Sequence, residues 1–175
     1  MSTFTSRPLD LVYTLFFLVH IPATLLLDLQ AIYPKHLVPS ALASLQEWYI
    51  DFSGDPLISG MARGLGNSEL RWFQSFVYLE MLFQLPTFIF GAKALIEGKR
   101  SIYPLLCVYG ASTATTTYPC LLYITDAGNA GTITTFQYSL LLSSYIPFFL
   151  IPLVMAVDMG YRLSSTVSEE KLKKT

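Results

Sequence analysis

Two carboxylates stand where carboxylates are costly. Asp28 falls in Leu25-Leu26-Leu27-Asp28-Leu29-Gln30, and Glu80 in Tyr78-Leu79-Glu80-Met81-Leu82-Phe83-Gln84-Leu85-Pro86, each within a run otherwise almost free of charge. An acid in such surroundings is expensive unless it is neutral or paired, which makes it a functional candidate by default. Two carboxyls in a low dielectric do not comfortably both ionise, so one is expected to keep a proton and hydrogen-bond the other. The remaining anion can serve as counter-charge to a lipophilic amine, with aromatic rings closing an apolar pocket around it. Gln84 lies one helical turn beyond Glu80, and His20 about two turns before Asp28, so both can share the respective faces. A blander reading stands beside this one: Asp28 caps a helix end near the headgroups, Glu80 bonds a neighbouring hydroxyl, and His20 is a packed hydrogen-bonder.

The elements that must position these residues follow from where charge is missing. Of the 175 residues 53% are hydrophobic and 13% charged, and mean hydropathy is +0.48. A chain this small cannot bury so much apolar surface within itself, which points to the bilayer as its second solvent. The net charge of −1 excludes a phosphate-neutralising nucleic-acid binder. Residues 11–27, 101–125 and 127–157 contain no Asp, Glu, Lys or Arg, and residues 72–92 contain Glu80 alone. A helix needs about 20 mainly apolar residues to cross a hydrocarbon core. Four spans are therefore expected, near 9–31, 70–95, 102–124 and 138–160, giving an all-α polytopic membrane protein. Four buried helices of a soluble bundle would each need a polar outer stripe, for which Leu105–Val108 and Phe148–Val154 leave no room. The Thr-rich stretch 111–119 is read as helix, its hydroxyls bonding back to carbonyls, because a lone strand would strand its backbone groups in hydrocarbon. The first span is too long for a signal-peptide core and is read as retained.

With four spans, Arg7, Lys93, Lys99, Arg100, Arg162, Lys171, Lys173 and Lys174 fall on one side, against Lys35, Arg63 and Arg71 on the other. The positive-inside rule then places both termini in the cytosol. Residues 1–162 form the transmembrane domain and 163–175 a cytosolic tail. In the long lumenal connection, 32–69, the spacing of Leu42, Leu45, Trp48, Tyr49 and Phe52 predicts an amphipathic helix lying at the interface. Asp158 is expected to pair with Arg162 one turn on. Cys107 and Cys120 are 13 residues apart on one span, about 20 Å, and cannot bridge. No metal-ligand spacing and no cofactor motif is evident. Pro22, Pro86, Pro119, Pro147 and Pro152 each fall inside a span and predict kinked helices that leave room between them.

His20-Ile-Pro-Ala-Thr-Leu-Leu-Leu-Asp28, Trp48-Tyr49, Asp55-Pro56-Leu57, Trp72-Phe73-Gln74-Ser75-Phe76 and Glu80-Met-Leu-Phe-Gln84-Leu-Pro86 resemble the sigma-two receptor family. Thr115-Thr116-Thr117-Tyr-Pro119 and Tyr145-Ile-Pro147-Phe-Phe-Leu-Ile-Pro152 match its third and fourth spans. That family belongs to the EXPERA group, with the emopamil-binding sterol isomerases. The resemblance implies a multi-pass, homodimeric endoplasmic-reticulum protein that binds sterols or lipophilic amines and handles sterol or cholesterol homeostasis, with a sterol-transport protein as partner. It implies that Asp28 pairs with a ligand amine and Glu80 bonds to it. Tyr49, Gln84, Thr116 and Tyr145 would line the cavity, and Asp55 would be structural; His20 joins the lining by its spacing from Asp28, and Pro86, Pro119 and Pro147 are structural by their place inside the spans. The chain departs from the family in a longer, Gly-rich Ser59–Leu70 loop and in Phe148, where animal members tend to carry Tyr. The Lys171-Leu-Lys173-Lys174-Thr175 tail resembles a retrieval signal, although a solvated basic tail accounts for the same charges. A non-enzymatic binder is the first functional expectation. A sterol Δ8–Δ7 isomerase is the second, and an endoplasmic-reticulum factor in quality control of mitochondrial precursor proteins the third.

Overall fold

Helices account for every regular element among the described residues, 6–173 (backbone only at 67, 167 and 169–173), of the computed structural model. The retrieval-signal reading of Lys171–Thr175 lies outside the described side chains. In chain order the helices are α1 (Pro8–Leu26), α2 (Ser40–Ser53), α3 (Pro56–Ala62), α4 (Arg71–Leu79), α5 (Leu85–Glu97), α6 (Tyr103–Asn129) and α7 (Thr135–Lys173). Three stretches are long and apolar enough to cross a membrane: Pro8–Ala31, Arg71–Glu97 and Thr135–Thr166, of 24, 27 and 32 residues. At 1.5 Å per residue even the shortest reaches about 36 Å. Helix α6 matches the second in length with 27 residues, but Ser112, Thr113, Thr115, Thr116 and Thr117 make its middle more polar than the other three.

Three of those five hydroxyls are spent on the helix itself. Thr115, Thr116, Thr117 and Thr125 each donate to a carbonyl one turn back, so they expose little unsatisfied polarity. Small residues then let α6 approach α7. A Cβ on Gly110 would lie 2.5 Å from the Pro152 carbonyl oxygen and 2.8 Å from the Ala156 nitrogen, a backbone-to-backbone contact that only glycine permits. Helix α1 packs against α5 by the same device, Gly91 making room for the Phe17 ring. Tyr13, Phe17, Phe88, Leu106, Tyr109, Met155 and Met159 fill this half of the core. The outward faces stay apolar: Val19, Leu82, Phe90 and Val157 are each more than 60% exposed, as lipid-facing side chains should be.

The prolines act unevenly. Helices α1, α6 and α7 run through Pro22, Pro119, Pro147 and Pro152 without interruption. At Pro86 the effect is visible. Proline has no N–H for the carbonyl of Leu82, and the helix widens into a π turn over Glu80–Gln84 just before it. Helix α1 gives way at Leu27 (φ −122°, ψ −63°), and Asp28 begins a short 3-10 turn, Asp28–Ala31. Helix α7 continues past residue 162 to Lys173, so the expected tail is helical over its described length.

The Ser59–Leu70 loop is folded down. Gly64 (φ +88°) ends the α3 turn and Leu70 is fully buried against Gly60.

One ionic cluster ties the first helix to the last. Asp10 is fully buried, yet it takes Arg7 Nη1 at 2.8 Å and Arg162 Nη1 at 2.6 Å. Arg162 also grips Asp158 through Nη2 and Nε, at 2.7 and 3.0 Å, and the Tyr13 hydroxyl donates to Asp158 at 3.2 Å. The i, i+4 pairing of Asp158 with Arg162 is as expected; the reach across to Asp10 was not foreseen.

Candidate functional site

The break at Leu27 and the π turn before Pro86 do one job. They face Asp28 and Glu80 towards each other from antiparallel helices. The sequence placed these acids at depths differing by up to about 10 Å along their helices; in the structure they share a side-chain hydrogen bond. Such a bond between two carboxyls needs a proton on one of them. Glu80 also accepts from the Thr24 hydroxyl. The hydroxyl partner anticipated by the blander reading and the carboxyl partner anticipated by the pocket reading are therefore both present.

His20 stands at the inner edge of this pair. Its Nε2 is 3.7 Å from Glu80 Oε1, while its ring stacks on Phe88 at 4.5 Å and touches Phe16 and Phe148 at 5.2 and 4.5 Å. The Nδ1 atom is buried and without a hydrogen-bond partner. His20, Asp28 and Glu80 offer ligand atoms within 4.8 Å of one another, the types and spacing a metal ion would require. Metal-bound histidines, however, almost always donate their other nitrogen to an orienting acceptor, and His20 has none. The geometry fits a ring wedged among aromatics better than a metal ligand.

The acid pair forms one wall of a cavity of about 260 Å³. This is slightly below the usual range for drug-sized ligands, about 300–1,000 Å³. All seven residues expected to meet a ligand, namely His20, Asp28, Tyr49, Glu80, Gln84, Thr116 and Tyr145, line it. Phe73, Phe76, Val77 and Phe148 supply apolar wall, and Thr113, Thr117 and Cys120 were not singled out from sequence. Their signal was helical spacing: Thr113 lies three residues before Thr116, Cys120 four after it, and Thr117 four after Thr113. Nothing from 59–70 lines the cavity. Among the described residues, no Lys or Arg borders it either.

A third acid, Asp55, is handled differently. It is fully buried and caps α3, accepting from the backbone N–H of Leu57 and Ile58 at 2.9 and 3.2 Å. Pro56 occupies the first helical position, where its missing N–H costs nothing. The other carboxylate oxygen accepts from the hydroxyls of Tyr49 (3.1 Å) and Tyr145 (2.9 Å). Burial pushes the Asp55 carboxyl up, against the lowering effect of the bonds from Tyr145, Ile58, Leu57 and Tyr49. Burial, and after it the neighbouring Asp55 charge, pushes the Tyr49 phenol up, so it stays a donor at neutral pH.

Tyr49 explains a difference from the expected interfacial helix. Leu42, Leu45, Trp48, Tyr49 and Phe52 were assigned one face, but Tyr49 turns to Asp55 and the cavity. Trp48 and Phe52 remain exposed, stacked at 5.4 Å. A phenol that finds a buried carboxylate gains more than one left at the surface.

The family described as EXPERA (EXPanded EBP superfamily) matches residues 41–159. The chain is similar to the sigma intracellular receptor 2 of Homo sapiens, with 33% identity over 179 residues covering 97% of each chain. It is similar to that of Xenopus tropicalis at 31% identity, covering 97% of this chain and 98% of the relative. A more distant likeness, 27% identity over 91% of this chain and 79% of the relative, is to efficient mitochondria targeting-associated protein 19 of Schizosaccharomyces pombe.

Proposed function

The chain belongs to the EXPERA family, and on that premise we propose that it is a non-enzymatic intramembrane receptor for a lipophilic amine or sterol. It spans the endoplasmic-reticulum membrane four times with both termini cytosolic, and works as a homodimer in sterol or lipid homeostasis. The observation that carries the binding reading is the hydrogen-bonded pair Asp28–Glu80 on the wall of a largely apolar cavity that no described Lys or Arg borders. A buried anion without a protein counter-charge is costly, and an incoming ammonium supplies what is missing. The net charge of the site then falls to zero with the shared proton still in place. The rings of Phe73, Phe76 and Phe148 suit the apolar part of such a ligand. The asymmetry of Lys and Arg between the two sides supports the orientation.

The test is binding of a radiolabelled lipophilic amine to membranes containing the chain. Wild type binds saturably, and Asp28→Asn loses at least about a hundredfold in affinity, the scale of a charge-assisted contact of about 3 kcal/mol. Unaltered binding by Asp28→Asn overturns the counter-ion role. A sterol isomerase is the alternative enzyme reading, but a shared fold does not bring the reaction with it. Expression in a strain lacking its Δ8–Δ7 isomerase leaves the Δ8-sterol unconverted if the chain is a receptor; restored conversion makes it an enzyme. The mitochondria targeting-associated relative favours the remaining alternative, quality control of mitochondrial precursors at the endoplasmic reticulum. Deleting the gene should then slow precursor clearance while sterols stay normal.

A further inference from the structure

A second, larger cavity of about 410 Å³ opens at the opposite end of the bundle from Asp55. Arg7, Pro8 and Leu9 at the start of α1, Arg100 and Tyr103 at the start of α6, and Tyr161 and Arg162 on α7 line it. Its charge is lopsided. Arg7 and Arg162 are braced by Asp10 and Asp158, so they hold a fixed position on the wall. The Arg100 side chain makes no ion pair or hydrogen bond among the described residues, and among these the cavity sets three guanidinium groups against two carboxylates. Arg–phosphate pairing is the strong, geometrically specific use of such a set.

The surroundings say which phosphate. Val154, Val157 and Tyr161 form an exposed stripe on α7, with Tyr161 75% exposed, and Leu9 and Val12 an exposed edge of α1. Both lead along membrane-spanning helices to the cavity rim. A free phosphate gains nothing from that apolar approach, whereas the acyl chains of a phospholipid would lie on it. The Tyr161 ring, apolar in its body with a polar tip, suits headgroup depth. Basic pockets between membrane helices on the cytoplasmic side take anionic headgroups, and the orientation proposed above puts this cavity on that side.

We propose that the cavity lined by Arg7, Arg100 and Arg162 is a binding site for the phosphate-bearing headgroup of an anionic phospholipid, separate from the acid-pair cavity. The lipid would straddle the junction of the first and last helices that Asp10 and Arg162 hold together. It would tie the bundle to the anionic cytosolic leaflet without entering the amine site.

The experiment uses the full chain reconstituted in nanodiscs of phosphatidylcholine with 10 mol% phosphatidylinositol 4-phosphate as the probe, followed by native mass spectrometry of retained lipid. Wild type should retain the phosphoinositide in preference to phosphatidylcholine, and Arg100→Gln should cut that preference about fivefold, the effect of one Arg near an anionic surface. Arg100 is exposed and its side chain has no partner among the described residues, so the variant should melt as wild type does, and its amine binding should be unchanged. The proposal is overturned if wild type shows no preference, or if Arg100→Gln retains the lipid as well as wild type. Displacement of the lipid by millimolar inorganic phosphate would assign the site to the free ion and also overturn it. Because the readout is lipid retention, failure of the amine-receptor reading leaves this result standing, and the reverse holds.

Discussion

Each end of this bundle holds a pair of acids drawn in from its surface, Asp10 fully buried and Asp158, Asp28 and Glu80 half-buried, and the two pairs are treated in opposite ways. Asp10 and Asp158 share Arg162, with Arg7 completing the set at 2.8 Å and Tyr13 adding a hydroxyl. Asp28 and Glu80 have each other, the Thr24 hydroxyl and the His20 ring. In the first cluster each acid has a guanidinium, so the cluster is complete and ties α1 to α7. In the second no described Lys or Arg meets the pair, and a cavity stands beside it. A protein that can build the first arrangement and leaves the second open has kept a place for a charge from outside. Structural ion clusters close on themselves; binding sites do not.

Removing the cation from the closed cluster gives the largest effect. Arg162→Met leaves Asp10, fully buried, facing Arg7 alone and frees Asp158. Breaking one partner out of a buried network costs about 3–5 kcal/mol, which for a chain of this size lowers the melting temperature by about 10 °C. Thermal unfolding in detergent reads this directly, and affinity for the amine in the surviving folded fraction should not change. Adding a cation to the open cluster is the converse. Gln84→Lys places an ammonium one turn from Glu80 on the cavity wall. Amine affinity should drop at least about tenfold, with no loss of melting temperature, because the new charge meets an existing anion. A Gln84→Lys protein that melts normally and binds amine normally would show that the acid pair has no need of a cation. Glu80→Gln sits between these. The amide can still donate to Asp28, so affinity should fall by about three- to tenfold, the range of one hydrogen bond, and by less than in Asp28→Asn.

The open cluster was legible in the sequence and the closed one largely was not, for a physical reason. Asp28 and Glu80 stand out because hydrocarbon makes any acid conspicuous. Asp10 sits in the first turn of α1 and Arg162 just past the expected end of the last span, both places where charge is ordinary, so Asp10 reads as a first-turn acid and nothing marks it as buried. The Arg7–Asp10 spacing of three was the available signal, but it says nothing of a partner 152 residues away. Helix content, the amphipathic stretch over Ser40–Ser53 and the back-bonded threonines followed from period and composition. The face of Tyr49 did not, because a phenol's choice between lipid surface and buried carboxylate depends on where Asp55 arrives. Pro22, Pro86, Pro119, Pro147 and Pro152 were all expected to kink their helices, and the helices run on through four of them. Only at Pro86 does the helix widen, and it does so where Glu80 has to turn towards Asp28.

Asp55 sharpens the comparison at its smallest scale, since it is an acid buried beside the same cavity with no cation at all. Its four donors, two backbone and two phenolic, take the place of a counter-charge. Tyr145→Phe removes one of them, the 2.9 Å bond, and should cost about 1 kcal/mol, a fall of about 2–4 °C in melting temperature. The pH dependence distinguishes a lost donor from lost packing. Burial raises the Asp55 carboxyl above its unfolded value, so the folded state binds its proton more readily than the unfolded chain. Asp55's contribution to stability is therefore full below the ordinary carboxylate range and falls as pH rises through the raised value. Taking away a donor raises that value further and deepens the loss on the alkaline side. The gap in melting temperature between wild type and Tyr145→Phe should consequently be wider at pH 7.5 than at pH 5. A gap of the same size at both would make Tyr145 a packing residue, and Asp55 an acid whose charge the remaining three donors already carry.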